Sequence, residues 1–460
     1  MHYLWWYVPF LTAPMLIALV SVLHVVVSHY AVGGGLFLAV ETQYAYRTNN
    51  SHYLAYLKQH AWFFILVTVV YGAITGVGIW WTIGLASPLA TETLIHTFVF
   101  GWAMEWVFFV LEITAAFVFY YYWGRLDPKT HLTVGWIYAI AAWISLVLIT
   151  GITAFMLNPG EWLQHRTFWA GFLNPQFVPQ VCARTGGSLL LASLYVYLHA
   201  AFTVKTPELY RLIEARSSRP ALAGAVLIVL GGVGWYVALP PSGQAALVSA
   251  SVLNVLMVLV FATTVAVFVM LYLGPYRNPG WLSPGFAILF LACGMAAVTT
   301  GEYVREAVRK PYIIYNVVTG NQILTEEIPA LRRTGYLEGG RWTKALVATQ
   351  YPEVMDAGRI DGAKLLSLPE AKQLALGHVL FQYHCNDCHA RSQGYSAVRQ
   401  LTRGWPSEMI HHLVQHPEAH FFMPPWAGTE AEAELLTKYL TSIALPHPGG
   451  MSYGDQREGQ

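Results

Sequence analysis

Charge is scarce in this sequence. Only 11% of its 460 residues are charged, against roughly 25% in an ordinary soluble domain. Hydrophobic residues make up 55%, and the mean hydropathy is +0.45. Those values exclude a disordered chain and a wholly water-soluble enzyme. The net charge is +1, so the chain has no basic field for phosphates and no nucleic-acid partner is expected. Cysteine is also sparse, with four residues, too few for a disulfide scaffold.

The charge that exists is unevenly placed. Residues 1–304 hold 20 charged side chains and residues 305–460 hold 31. The first two-thirds therefore read as membrane and the last third as a water-soluble module. Eight apolar segments are long enough for a bilayer, which needs about 20 residues each. They run 13–45, 59–83, 96–123, 131–157, 178–202, 221–239, 246–273 and 283–304. No basic region or small-residue cleavage site precedes the first, so no removable signal peptide is expected. Trp5-Trp6-Tyr7 reads as an interfacial start. Gly33-Gly34-Gly35 signals close helix packing, or else room for a flat cofactor.

Loop charges set the expected orientation. Arg47, Lys58, Arg125, Lys129, Lys205, Arg211, Arg216, Arg219 and Arg277 fall in the odd-numbered connections. The alternate connections hold Arg166, with Arg184 nearby. The odd-numbered connections are thus expected to be cytoplasmic, and both termini periplasmic.

Cys385-Asn386-Asp387-Cys388-His389 is a C-x-x-C-H run, the signature of covalent haem c. Thiols at i and i+3 can each form a thioether to a haem vinyl, and His389 reaches the iron. A redox or zinc C-x-x-C is the alternative. Met423-Pro424-Pro425-Trp426 supplies a thioether on a stiff loop, and Met with His is the axial pair that raises haem potential. Flanking helices are expected over Ala371–Tyr383, with Gly377 and Phe381 on one face, and over Glu430–Ile443. Residues 365–445 thereby resemble a class I cytochrome c. Haem c is attached outside the cytoplasm, in agreement with the loop charges.

Ionisable residues inside membrane helices are costly, so each is a functional candidate. The first segment carries His24, His29 and Glu41. The third carries Glu105 and Glu112, two turns apart on one face. The eighth ends in a charged cluster from Gly301 to Tyr312. Imidazoles suit haem iron, carboxylates suit proton delivery and arginines suit haem propionates. A hydrogen-bonded packing histidine is the plain alternative for His24 or His29.

Residues 15–315 resemble subunit I of the cytochrome bd quinol oxidases. His24, nine residues before Gly33 and followed by Glu41-Thr42, is similar to the family's high-spin haem histidine. Glu105 and Glu112, followed by Trp123-Gly124-Arg125-Leu126, match its third helix, and Leu157-Asn158-Pro159 the end of its fourth. The resemblance implies a proton-path role for Ser145, a haem-ligand role for Glu306 and a propionate role for Arg309. Glu105 is implied as a further iron ligand or a proton carrier, with Glu112 on the proton path. His29 is a weaker candidate for a haem iron.

Departures from the family are equally informative. The family's quinol loop is reduced here to about Pro240–Ala245, and its ninth helix gives way to the cytochrome c. The low-spin haem histidine would fall at Ala183 or Arg184. That haem is therefore expected to be lost, which leaves Met257, the implied methionine ligand, as core filler. Glu302 stands where the family has tryptophan.

His199 and His96 read as satisfied interfacial histidines, and Cys182 and Cys293 as buried small hydrophobes. His411, His412, His416 and His420 read as a solvated face of the cytochrome. The expected fold is all-α: a polytopic bundle over 1–312, a periplasmic linker over 313–364, a periplasmic cytochrome c over 365–445 and a tail. The expected cofactors are one covalent haem c and one or two non-covalent haems, of b type rather than d type. The implied function is a membrane haem oxidoreductase that takes electrons through its haem c and reduces dioxygen. Its expected partners are a second membrane subunit, other redox subunits and a periplasmic electron-transfer protein. The rival reading is an electron-transfer subunit that is not itself an oxidase. A transporter is disfavoured, because no inverted repeat is evident.

Overall fold

The computed structural model describes residues 6–446. Trp5 of the interfacial start and residues 447–460 of the tail lie outside the described residues. Among the described residues, eight helices are long and apolar enough to cross a membrane, which makes this a multi-pass membrane protein. They are α1 (Ala13–Arg47), α2 (Ser51–Ala86), α3 (Val99–Tyr121), α4 (Pro128–Phe155), α5 (Phe177–Thr203), α6 (Pro207–Val237), α7 (Ser251–Tyr276) and α8 (Pro284–Ala307).

Local chemistry sets the helix ends. The Asp127 carboxylate accepts the Lys129 and Thr130 N–H groups at 3.1 Å, and Pro128 opens α4. Asn50 caps α2 through the Tyr53 N–H at 2.9 Å. Such caps satisfy donors that have no partner within the helix. Two helices start well before their apolar stretches, α2 at Ser51 and α6 at Pro207. Arg211, Arg216 and Arg219 therefore sit on α6 and not in a loop. Hydropathy measures the apolar stretch, while helix length also follows caps and propensity. His96 is another correction. It belongs to a separate helix, Pro88–Thr97, because Phe98 leaves helical geometry before α3 begins.

The chain divides into two compact units. One comprises residues 20–80 and 92–309. Its glycines let helices touch. A Cβ on Gly33 would meet the Ser188 carbonyl of α5, one on Gly34 the Phe64 ring of α2, and one on Gly35 the Tyr138 ring of α4. The glycine run is a packing device. Gly186 meets Gly224, and Gly231 meets Ala183, between α5 and α6. Backbones this close gain van der Waals contact where apolar burial gives little drive. Met257 is 38% exposed on α7, so it is a surface residue and not core filler.

The second unit comprises the described residues of 1–19, 81–91 and 310–460. It contains α9 (Ile328–Gly339), α10 (Glu370–His384) and α11 (Glu430–Ile443). Two short hairpins, Tyr312–Ile314 with Val318–Thr319 and Met355–Asp356 with Arg359–Ile360, are its strands. Residues 313–364 carry several of these elements. Leu331, Tyr336, Leu337 and Val354 share one core with Leu376, Leu380, Leu435 and Leu440. The Glu432 carboxylate ties them together. It accepts the N–H groups of Tyr336 at 2.9 Å, Leu337 at 2.7 Å and Thr429 at 2.8 Å. Gly335, at φ +81°, faces that carboxylate.

The α10–α11 crossing depends on Gly377, where a Cβ would meet the Leu435 carbonyl and Tyr439. Gly377→Val should lower the stability of this unit by about 3 kcal/mol, the upper end of the usual overpacking cost. Gly362→Ala should be nearly neutral, since its Cβ would meet only Ala431 at 3.5 Å. Thermal melting of the two variants in detergent checks the difference.

Candidate functional site

In the membrane unit each candidate has its own partner. The Thr75 hydroxyl lies 3.0 Å from the Tyr71 carbonyl and 3.1 Å from the Gly72 carbonyl, and 3.2 Å from His24 Nδ1. Thr75 has a single hydroxyl hydrogen, which goes to the backbone. Its oxygen therefore accepts from His24 Nδ1–H, and His24 Nε2 keeps a free lone pair. Tyr71 closes a widened π turn, Leu66–Tyr71, a feature frequent at functional sites. His29 repeats the logic, with Nδ1 donating to the Val25 carbonyl at 2.8 Å.

The two α3 carboxylates are held separately. Ser145 of α4 donates to Glu105 at 2.9 Å. Glu112 has a different partner, the Tyr138 hydroxyl at 3.0 Å. That hydroxyl is also 3.1 Å from the Ala31 carbonyl of α1. A phenol has one hydrogen. When it goes to Glu112, the carboxylate is satisfied as an anion. When it goes to Ala31, a protonated Glu112 donates to the phenol oxygen. Both charge states of Glu112 are therefore accommodated without an orphaned group.

At the C-terminal end of α8, Arg305 pairs with Glu302 at 2.7 Å and Arg309 pairs with Glu306. Arg309 Nη1 also lies 3.6 Å from the Met156 sulfur, while its buried Nε has no partner. Arg184 donates to Thr150 at 3.3 Å. Thr75, Tyr138 and Thr150 were missed in the sequence, because a lone Thr or Tyr in an apolar helix carries no signal. Glu41 accepts Tyr53 at 2.9 Å and pairs with Arg216, whose guanidinium lies over Tyr44 at 3.5 Å. Loop-charge counting placed that arginine in a connection and gave it no partner.

In the second unit, Cys385 and Cys388 lie just beyond α10 and form no disulfide. The N–H groups of Cys388 and His389 both reach the Cys385 carbonyl, at 3.2 and 3.0 Å, which curls the run into one turn. His389 Nδ1 donates to the Ser396 carbonyl at 2.9 Å. This fixes the tautomer and leaves Nε2 bare, the usual arrangement behind a metal-ligating histidine. Burial lowers the His389 pKa, so the ring is neutral, as a ligand must be. His384 is held by Asn321 and Tyr336, both at 2.9 Å, and burial pushes it down to about 3. Desolvation pushes buried Asp387 up to about 7. Met423 is half-buried in a turn closed by its N–H on the His420 carbonyl at 3.1 Å. His411 bonds Thr437 and Glu430, while His412, His416 and His420 are exposed.

Comparison with known proteins bears on the membrane unit. Residues 13–239 match the family model described as cytochrome bd terminal oxidase subunit I. No curated protein matches the chain. Among solved structures, the bd oxidase from Geobacillus thermodenitrificans matches with a TM-score of 0.55 and 19% identity, over 66% of this chain and 89% of that chain. At that identity the likeness is one of fold. The family match spans α1 to α6 and so takes in His24, His29, Glu105, Glu112, Ser145 and Arg184, whereas α7, α8 and the C-x-x-C-H run lie beyond it.

Proposed function

We propose that this chain is a membrane haem oxidoreductase of the cytochrome bd type, which takes electrons through a C-terminal haem c and delivers them to dioxygen. The observation that carries the reading is the shared histidine geometry. His24 in the family-matched span and His389 in the C-x-x-C-H run both tie Nδ1 to the protein and present a bare Nε2. Two cysteines outside any disulfide, one turn apart beside His389, fit a covalent haem. Met423 would supply the sixth ligand. When bound, such groups supply one-electron chemistry, and an open iron position supplies reactivity toward dioxygen.

The chain's own residues divide the remaining work. His24 would hold a membrane haem iron, its ring oriented by Thr75, with Glu306 or Glu105 as a second ligand. Arg309, with its unpartnered Nε, would receive a propionate. Glu112 and Tyr138 hold a proton at the Glu112 carboxyl in one state and release it in the other. Ser145 keeps Glu105 oriented on the same face of α3. The low-spin haem implied by the resemblance has no place in this reading. Ala183 packs on the Gly231 backbone, Arg184 is turned to Thr150, and Met257 lies at the surface. The odd-numbered connections would be cytoplasmic, so the haem c would lie in the periplasm of a bacterial inner membrane. A second membrane subunit and a periplasmic electron donor follow from the same reading.

Extraction of the haems tests it directly. We expect one covalent haem, at least one non-covalent haem, and a reduced-minus-CO difference spectrum from the latter. A protein without covalent haem, or one that leaves CO unbound, overturns the reading. Thr75→Val removes the acceptor behind His24. It should weaken retention of the non-covalent haem by about 10–100-fold, the usual loss for an outer-shell partner, while the covalent haem stays. Glu112→Gln should keep both haems and the fold but slow turnover by about 100-fold, as loss of a positioned proton carrier does, with a larger solvent-isotope effect. Oxygen consumption by the purified variant, recorded in light and heavy water, checks this.

A further inference from the structure

The membrane unit holds a second hydrogen-bonded array that the scheme above does not use. His60 of α2 is fully buried. Its Nδ1 lies 3.2 Å from Nδ1 of His199 on α5, and its Nε2 lies 3.1 Å from the Tyr30 hydroxyl on α1. Three helices thus contribute one unbroken chain: His199, His60, Tyr30. The surroundings are aromatic. Tyr56 stacks on His60 at 5.7 Å, Phe63 on His199 at 4.9 Å and Tyr195 on Tyr30 at 4.2 Å. Glu41 and Arg216 are paired with each other, and Tyr53, which donates to Glu41, stacks on Tyr56 beside the array. Among the described residues, the hydrogen bonds of the two imidazoles are to each other and to Tyr30, not to a charged group.

We infer that His199, His60 and Tyr30 form a one-proton relay from the Lys205 end of α5 toward the middle of α1; the inference rests on the oxidoreductase reading, which requires protons inside the bundle. The bonding admits two arrangements. In one, His199 Nδ1–H donates to His60 Nδ1, and His60 Nε2–H donates to the Tyr30 oxygen. His199 Nε2 is then bare. A proton arriving at His199 Nε2 releases the Nδ1 proton to His60, His60 passes its Nε2 proton to Tyr30, and Tyr30 gives up its original hydroxyl proton to a water molecule, the acceptor the relay requires beyond the phenol. One proton enters and one leaves. The array ends in the second arrangement, in which Tyr30 donates to His60 Nε2 and His60 donates to His199. Neutral imidazole is suited to this because one nitrogen accepts while the other gives. His199 is the entry end: it lies four residues from the end of α5 at Thr203 and is 9% exposed, whereas His60 and Tyr30 are sealed. A plain packing pair needs neither two imidazoles nose to nose nor a phenol continuing the line.

Tyr30→Phe and His199→Gln test this in the purified full-length protein. Tyr30→Phe keeps the ring and its stacking. His199→Gln keeps a polar group but cannot pass a proton through a ring. Both should retain haem content and melting temperature, yet lower oxygen consumption by about 100-fold and raise its solvent-isotope effect. Folded, haem-replete variants with unchanged rate and isotope effect would overturn the relay. A second measurement is independent of turnover. In wild-type protein with labelled histidine, His60 and His199 should show nitrogen–nitrogen scalar coupling across their shared hydrogen bond. Absence of that coupling overturns the relay even if both variants fail to fold. If wild-type protein consumes no oxygen, the oxidase reading fails while the coupling still decides the histidine pair.

Discussion

A polar group inside a bilayer has no water to fall back on, and this constraint shapes the whole membrane unit. Each ionisable side chain of the bundle named above is tied down locally. Glu41 has Arg216 and Tyr53, Glu105 has Ser145, Glu112 has Tyr138 and Glu302 has Arg305. Glu214 accepts the Gly280 N–H from the α7–α8 connection. These partners come from different helices in nearly every case, so the polar bonds fix which helices are neighbours. An apolar surface alone would allow many registers, because lipid tails are as apolar as leucine. The costly residues therefore specify the bundle as well as furnish its chemistry.

The same economy recurs at the histidines. An imidazole in a dry site must commit its two nitrogens to definite roles. His24, His29 and His389 each spend Nδ1 on a hydroxyl or a carbonyl and hold Nε2 in reserve. His131 of α4 spends both nitrogens, on Tyr46 at 3.0 Å and on the Phe119 carbonyl at 2.9 Å, and so works as a structural tie between helices. His60 also spends both, but on groups that can themselves exchange protons. The three classes, open, closed and relaying, are separated by bonding partners and not by depth in the membrane.

Much of this was legible in the sequence. The eight spans announced themselves because bilayer thickness demands long apolar runs. The C-x-x-C-H run was visible as a motif and the α10 and α11 segments as helices, with Gly377 and Phe381 on one face of α10, while the close crossing at Gly377 appears only in the fold. Helix ends were less legible, since α6 extends through Arg211, Arg216 and Arg219 as helix that hydropathy scores as loop. The partners of the charged residues were invisible. Nothing local to Thr75, Tyr138 or His60 reveals that the fold will set it against His24, Glu112 or His199, because those pairings exist only across helices. Glu105 and Glu112 could be placed on one face by periodicity, yet periodicity could not say that Ser145 serves one and Tyr138 the other.

The three consecutive glycines of α1 connect these observations. Gly35 admits the Tyr138 ring to the α1 backbone, and that approach lets its hydroxyl span Ala31 and Glu112. Gly34 admits Phe64 and the ring of Tyr30, drawing α2 close enough for His60 to reach the Tyr30 hydroxyl. Gly33 brings α5 in through Ser188 and Ala192, on the helix that carries His199. A methyl group at any one of these positions would push a different neighbour away. The run is thus the geometric precondition for both hydrogen-bonded arms, which meet on α1 at adjacent residues, Tyr30 and Ala31. Two helices bring in the carboxylate arm, two bring in the histidine arm, and the missing Cβ atoms let α2, α4 and α5 close on the same turn, with α3 held to it through Tyr138.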